Sequence, residues 1–149
     1  MISPEPDRPS LDVLLVDDSR AEILLFEHAV KQIEHLHILH IARDGEQALQ
    51  YLRQQGQFQN AKRPDVVLLD INMPKKDGFQ VLSELKTDPV LRSIPVVMLT
   101  TSDREEDILK SYHDGASTFI SKPLTFDKLK QTLESFADYW SNAKIVPPS

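Results

Sequence analysis

Four short apolar runs, each closed by a polar residue suited to chemistry, constrain this chain more than any other feature. Leu11-Asp12-Val13-Leu14-Leu15-Val16 is followed by Asp17 and Asp18, and Val66-Val67-Leu68-Leu69 by Asp70. Val96-Val97-Met98-Leu99 is followed by Thr100, and Phe119-Ile120-Ser121 by Lys122. The runs have strand length, and Val-Val-Leu-Leu without alternation reads as a strand buried on both faces. If the runs are parallel neighbours, three carboxylates, a hydroxyl and an ammonium meet at one edge of one sheet.

The segments between the runs carry helical signals. Ser19 with Glu22 three residues on gives a capping-box pattern for a helix over 20–34. Leu36 to Ile41 reads as a second strand. Asp44-Gly45-Glu46-Gln47 and Asp77-Gly78-Phe79-Gln80 open two further helices, and 56–64 is a polar connector. Ser102 and Glu105 repeat the capping pattern for a helix over 103–113, and 117–121 reads as the fifth strand. Leu129, Leu133, Phe136, Ala137 and Trp140 then recur at helical spacing. Five β-α pairs imply a doubly wound parallel sheet of five strands, with right-handed crossovers and helices on both faces. Ligands of such sheets bind outside the carboxyl ends of the strands. Asp17, Asp18, Asp70, Thr100 and Lys122, which close the apolar runs, all fall there.

The 149 residues suit one domain. The expected layout is a flexible tail over 1–10, a folded domain over 11–142 and a short tail over 143–149. The formal net charge of -6 offers no basic stripe for nucleic acid. No apolar run approaches the roughly 18 residues that span a bilayer, and the first residues show no signal-peptide pattern. There is no cysteine. A cytoplasmic location, with neither nucleic acid nor membrane as direct partner, is expected.

Asp17, Asp18 and Asp70 need a cation, or at least one of them must take up a proton, because two unit charges about 4 Å apart repel by roughly 4 kcal/mol at an effective dielectric of about 20. Their hard oxygen donors point to Mg2+, with Mn2+ as a substitute. With Lys122 and one magnesium, the three negative charges cancel. Asp70 is then placed as a nucleophile forming an aspartyl phosphate, with Lys122 and the Thr100 hydroxyl on phosphoryl oxygens. Each residue also has a plainer reading. Taken alone, Asp17 and Asp18 are solvated helix caps and Lys122 is a surface lysine; their coincidence at matched strand ends favours the site. His35, His37 and His40 lack a carboxylate at ligand spacing and are not read as a metal centre.

The set Asp17-Asp18, Asp70-Ile71-Asn72-Met73-Pro74, Asp77-Gly78, Thr100 and Lys122-Pro123 closely resembles the response-regulator receiver domain, over about residues 11–140. The resemblance implies a flavodoxin-like fold with strand order 2-1-3-4-5. It implies that Asp70 accepts phosphate from a histidine kinase, that Asp18 ligates magnesium directly and Asp17 through water, and that the Asn72 carbonyl completes the set. It makes Thr100 and Phe119 the switch residues, Lys122 the phosphate contact, and Pro123 the site of a cis peptide bond. It implies no enzyme beyond self-phosphotransfer and autodephosphorylation. Thr101 is bulkier than the alanine common at its position, so slow hydrolysis of the acyl phosphate is expected.

The connector from Gln54 to Pro64, the Leu99-Thr100-Thr101-Ser102 stretch and the aromatic end Phe136-Ala137-Asp138-Tyr139-Trp140 resemble stand-alone receivers that serve cyanobacterial phytochrome kinases. A phytochrome-type kinase is the partner this implies. Tyr139, Trp140 and Ile145 suggest a homodimer through the last helix. The alternatives are a phosphorelay intermediate or phosphate sink, and a haloacid-dehalogenase-like phosphohydrolase. The last needs an acid two residues past the nucleophile, where this chain has Asn72.

Overall fold

The computed structural model describes residues 10–73, 75–100, 105–123 and 125–145, and the side chains of all of these but 105, 106 and 141–145. Pro74, Thr101 and Ser102, most of both expected tails, and the Ile145 side chain lie outside the described residues. Five strands, β1 (Leu11–Val16), β2 (Leu36–Ala42), β3 (Val66–Asp70), β4 (Val96–Thr100) and β5 (Thr118–Ser121), alternate with five helices. These are α1 (Arg20–Lys31), α2 (Gly45–Leu52), α3 (Gly78–Thr87), α4 (Glu105–His113) and α5 (Phe126–Ile145). All strand pairs are parallel, in the expected order β2-β1-β3-β4-β5.

The period of two in each strand divides the core. Leu14, Val16, Val67 and Leu69 face a layer with Leu49, Leu52, Leu82 and Leu85 of α2 and α3. Val13, Leu15, Val66 and Leu68 face Ile23, Phe26, Leu129, Leu133 and Phe136 of α1 and α5. Both faces of the central strands are therefore dry, which is why their sequences do not alternate.

Two helix ends depart from expectation by three residues. Helix α1 stops three residues early: the Gln32 N–H donates back to the Ala29 and Val30 carbonyls, and His35 turns the chain into β2 with φ +66. Helix α5 continues past the expected boundary at 142, to Ile145. The cis bond expected before Pro123 is a correction: no peptide bond among the described residues is cis. An X-Pro bond prefers trans by only about 0.5–1 kcal/mol, so the surroundings decide the isomer and a dipeptide does not reveal it. No helix among the described residues is long and apolar enough to cross a membrane.

The connector between α2 and β3 carries a 3-10 turn, Gly56–Phe58, and is tied down along its length. The Tyr51 hydroxyl donates to the Lys62 carbonyl at 2.8 Å, and Gln54 Nε2 to the Ala61 carbonyl at 2.8 Å. The Tyr51 ring stacks on His40 at 4.5 Å, and Phe58 meets His40 edge-on at 5.1 Å. Burial holds the His40 imidazole below the usual histidine range. The unfolded chain therefore takes up this proton first on acidification. The stability that His40 contributes is complete above the unfolded pKa, about 6.5, and is lost as pH falls through the folded value. Replacing it in His40→Phe, which keeps the stack without titration, should flatten the fall in urea midpoint between pH 7.5 and pH 5. An identical fall in both proteins would contradict this account.

Candidate functional site

The carboxyl ends of β1, β3, β4 and β5 gather the residues singled out in the sequence. Asp17 is fully buried just past β1, where its N–H donates to the Ala42 carbonyl at 3.0 Å. Its Oδ1 accepts the Ser19 N–H at 2.9 Å and its Oδ2 the Lys122 ammonium at 2.9 Å. Asp18 is half-buried beside it. Asp70 ends β3 and is 5% exposed. Its Oδ1 lies 3.3 Å from Lys122 Nζ and accepts the Asn72 N–H at 3.4 Å. Thr100 is buried at the end of β4, and its carbonyl accepts the Lys122 N–H at 2.6 Å, aligning the two strand ends. Phe119 is half-buried against the layer under α2 and α3, and Pro123 is half-buried beyond Lys122.

Glycine sets how closely α3 approaches Asp70. A Cβ on Gly78 would lie 2.5 Å from the Asp70 carbonyl oxygen and 2.8 Å from Ile71 Cα. The Gly78 N–H donates to the Ile71 carbonyl at 2.8 Å. Just before it, Asp77 and Gln80 form a reciprocal capping box, with both bonds at 2.9 Å. The turn after Asp70 is therefore held from both sides.

Glu22 is the residue that sequence reasoning missed. Ser19 does cap α1, accepting the Glu22 N–H at 3.3 Å. The Glu22 carboxylate, however, does not close a capping box. It accepts from the Lys122 ammonium and shares a hydrogen bond with Asp17. The available signal was its place in the first turn of α1, next to the strand end that carries Asp17 and Asp18.

Three carboxyl groups, of Asp17, Glu22 and Asp70, thus crowd the ammonium of one lysine whose side chain is 7% exposed. Burial pushes Asp17 up to about 7, helped by the hydrogen bond it donates to the Glu22 carboxylate and opposed by the Ser19 N–H and Lys122. Burial also raises Asp70 above the usual carboxylate range, against the pull of Lys122 and the Asn72 N–H. Burial acts on Glu22 in the same direction, but its bonds to Lys122 and Asp17 prevail and hold it low. For Lys122, burial favours the neutral amine, and the bonds it donates to Glu22 and Asp17 outweigh it, so the ammonium is held above its ordinary value. The balance expected from three aspartates, one lysine and one magnesium is therefore corrected. Glu22 adds a fourth negative charge, offset to the extent that Asp17 holds a proton.

Ligand oxygens of Asp17, Asp18 and Asp70 all lie within 4.8 Å of one another, the one such group among the described residues. His35, His37 and His40 form no comparable cluster there. The residues fit a hard divalent cation: the donors are all oxygen, they converge, and two of them are buried with their ionised forms disfavoured until a positive charge arrives.

Comparison with known proteins agrees with this geometry. The family model described as response regulator receiver domain matches residues 13–134. The chain is 38% identical over 146 residues to response regulator Rcp1 of Synechocystis sp., covering 98% of this chain and 99% of that protein. The crystal structure of the phosphorylated cyanobacterial phytochrome response regulator RcpA is similar at 41% identity, with a TM-score of 0.84 over 94% of this chain and 99% of that one. The Mn(2+)-bound form of Rcp1 is similar at 38% identity, with a TM-score of 0.80 over 93% of this chain and 99% of that one.

Proposed function

The chain belongs to the response regulator receiver family, and we propose that it accepts a phosphoryl group on Asp70 from a phytochrome-type histidine kinase and changes its protein contacts in response. The observation that carries this reading is the convergence on Lys122, whose ammonium lies 2.9 Å from Asp17 Oδ2 and 3.3 Å from Asp70 Oδ1. The phytochrome partner rests on the likeness to Rcp1 and RcpA along nearly the whole chain. A cytoplasmic site of action, within reach of a kinase's phosphohistidine, belongs to the same proposal.

In the proposed transfer, an Asp70 carboxylate oxygen attacks phosphorus. The new O–P bond forms as the P–N bond to the donor imidazole breaks, and the electron pair leaves with that nitrogen. The receiver's contribution is position and charge more than covalent assistance. Magnesium held by Asp17, Asp18, Asp70 and the Asn72 carbonyl would neutralise phosphoryl oxygen charge. Lys122 turns its ammonium to a second oxygen, and the Thr100 hydroxyl donates to a third. Inward movement of Thr100 gives Phe119 room to pack more deeply, altering the surface of α4, β5 and α5. Asn72 has no proton to give a leaving group, which weighs against general phosphohydrolase activity; slow autodephosphorylation is the only turnover proposed.

The test is phosphotransfer from a phytochrome kinase, read by intact mass. One phosphoryl adduct on the wild type, dependent on magnesium, is expected. No adduct from any histidine kinase or acyl phosphate would remove the proposal.

A homodimer through α5 is also proposed. Ile120, Phe136, Tyr139 and Trp140 line a groove of about 510 Å³ between β5 and α5, and Tyr139 is 66% exposed. Aromatic side chains of this kind are enriched at interface centres. Tyr139→Glu should shift the mass in light scattering from dimer to monomer at micromolar concentration. A wild type that is monomeric at every concentration would refute the dimer.

A further inference from the structure

Glu22 lies outside the carboxylate triad, yet it is bonded to the lysine at the centre of it. The Lys122 ammonium touches Asp17 Oδ2, Asp70 Oδ1 and Glu22 Oε2. Two of those three partners are also the buried members of the cluster that fits a divalent cation. An ammonium and a dication on the same two carboxylates repel one another, by several kcal/mol at contact distances even at an effective dielectric of about 20. A site that needs both must give the ammonium another anchor. Glu22 is that anchor: its side chain is 33% exposed, at the rim, on the first turn of α1.

From this geometry we infer that Glu22 is a positioning residue for Lys122. Its carboxylate draws the ammonium toward the rim, leaving Asp17, Asp18 and Asp70 to the metal and keeping Lys122 within reach of an incoming phosphoryl oxygen. Without it, Lys122 settles onto Asp17 and Asp70 and competes with the cation. The inference rests on the receiver reading of the site, and it assigns to Glu22 a duty that acts only through Lys122.

A double-mutant cycle on the full chain tests it, with magnesium chloride alone as the probe and affinity read from thermal shift without phosphodonor. Glu22→Gln should weaken magnesium binding about tenfold, the order of effect typical of coupled charged neighbours. In a Lys122→Met background the same substitution should change affinity by about twofold or less, the scatter expected of independent sites. The Lys122 ε-methylene NMR signal should also move in metal-free Glu22→Gln, since the anchor of its ammonium is gone. Equal affinities of wild type and Glu22→Gln would overturn the role of Glu22 and leave the receiver reading standing. An undiminished tenfold loss in the Lys122→Met background would overturn it too, because Glu22 would then act on the metal directly. A wild type that binds no magnesium would remove both readings together.

Discussion

Asp70→Asn should abolish phosphoryl uptake and, in the same protein, raise the melting temperature of the metal-free form by a few degrees. The first effect follows from chemistry, because a neutral amide offers no anionic oxygen to attack phosphorus. The second follows from burial. Asp70 is 5% exposed, and burial together with the charge of Glu22 raises its pKa, with Lys122 only partly opposing them. A carboxyl group whose folded pKa is raised contributes stability below its unfolded value, and that contribution is lost as pH rises through the folded value. Near pH 7.5, Asn stands in for the protonated form and relieves the crowd of carboxylates. Near pH 3.5 both proteins are neutral at this position and the gain should shrink. Thermal denaturation in chelator at the two pH values measures this. An equal or lower melting temperature for the variant at pH 7.5 would mean that Lys122 already compensates Asp70 fully.

The second large effect is expected at Gly78. In Gly78→Ala the new Cβ meets backbone, the Asp70 carbonyl oxygen at 2.5 Å and Ile71 Cα at 2.8 Å, so no rotamer change relieves the clash. Overpacking of this kind costs about 1–3 kcal/mol. The shift falls on the residue that carries the nucleophile, and a misplacement of about 1 Å can cost roughly a hundredfold in rate. Leu85→Ala is the comparison. Leu85 is fully buried on the same helix beyond the turn that touches the acceptor, and its truncation should cost about 2–5 kcal/mol. Phosphorylation rates from a small acyl phosphate, taken well below both melting temperatures, should fall steeply in Gly78→Ala and hardly at all in Leu85→Ala. Similar rates for the two would show that the contact between α3 and Asp70 does not position the acceptor.

Most of the site was legible because of where polar residues stop apolar runs. Asp17, Asp70 and Thr100 are each buried, and a polar residue at the end of a buried parallel strand is costly unless it has partners or a task. That cost makes such residues stand out in a sequence. Glu22 lacked this contrast, since a glutamate three residues after a serine is explained by a helix cap alone. The His40 stack was hidden for a related reason: Tyr51 and Phe58 reach it from a helix and a connector whose packing on β2 no periodicity specifies. The isomer at Pro123 depended on surroundings that the Lys122-Pro123 dipeptide does not contain.

By itself, the sequence determined the five β-α units, the parallel sheet and the edge at which its polar residues gather, because strand and helix periods and the short connections between them are local properties. Only the tertiary structure decided which carboxylates meet at the lysine, and that Glu22 is one of them. Glu22 and Lys122 are 100 positions apart. They meet because α1 and α5 pack on the same face of the sheet and set the first turn of α1 beside the end of β5. An ion pair of that separation is a product of packing, and the low-dielectric setting that packing creates strengthens it.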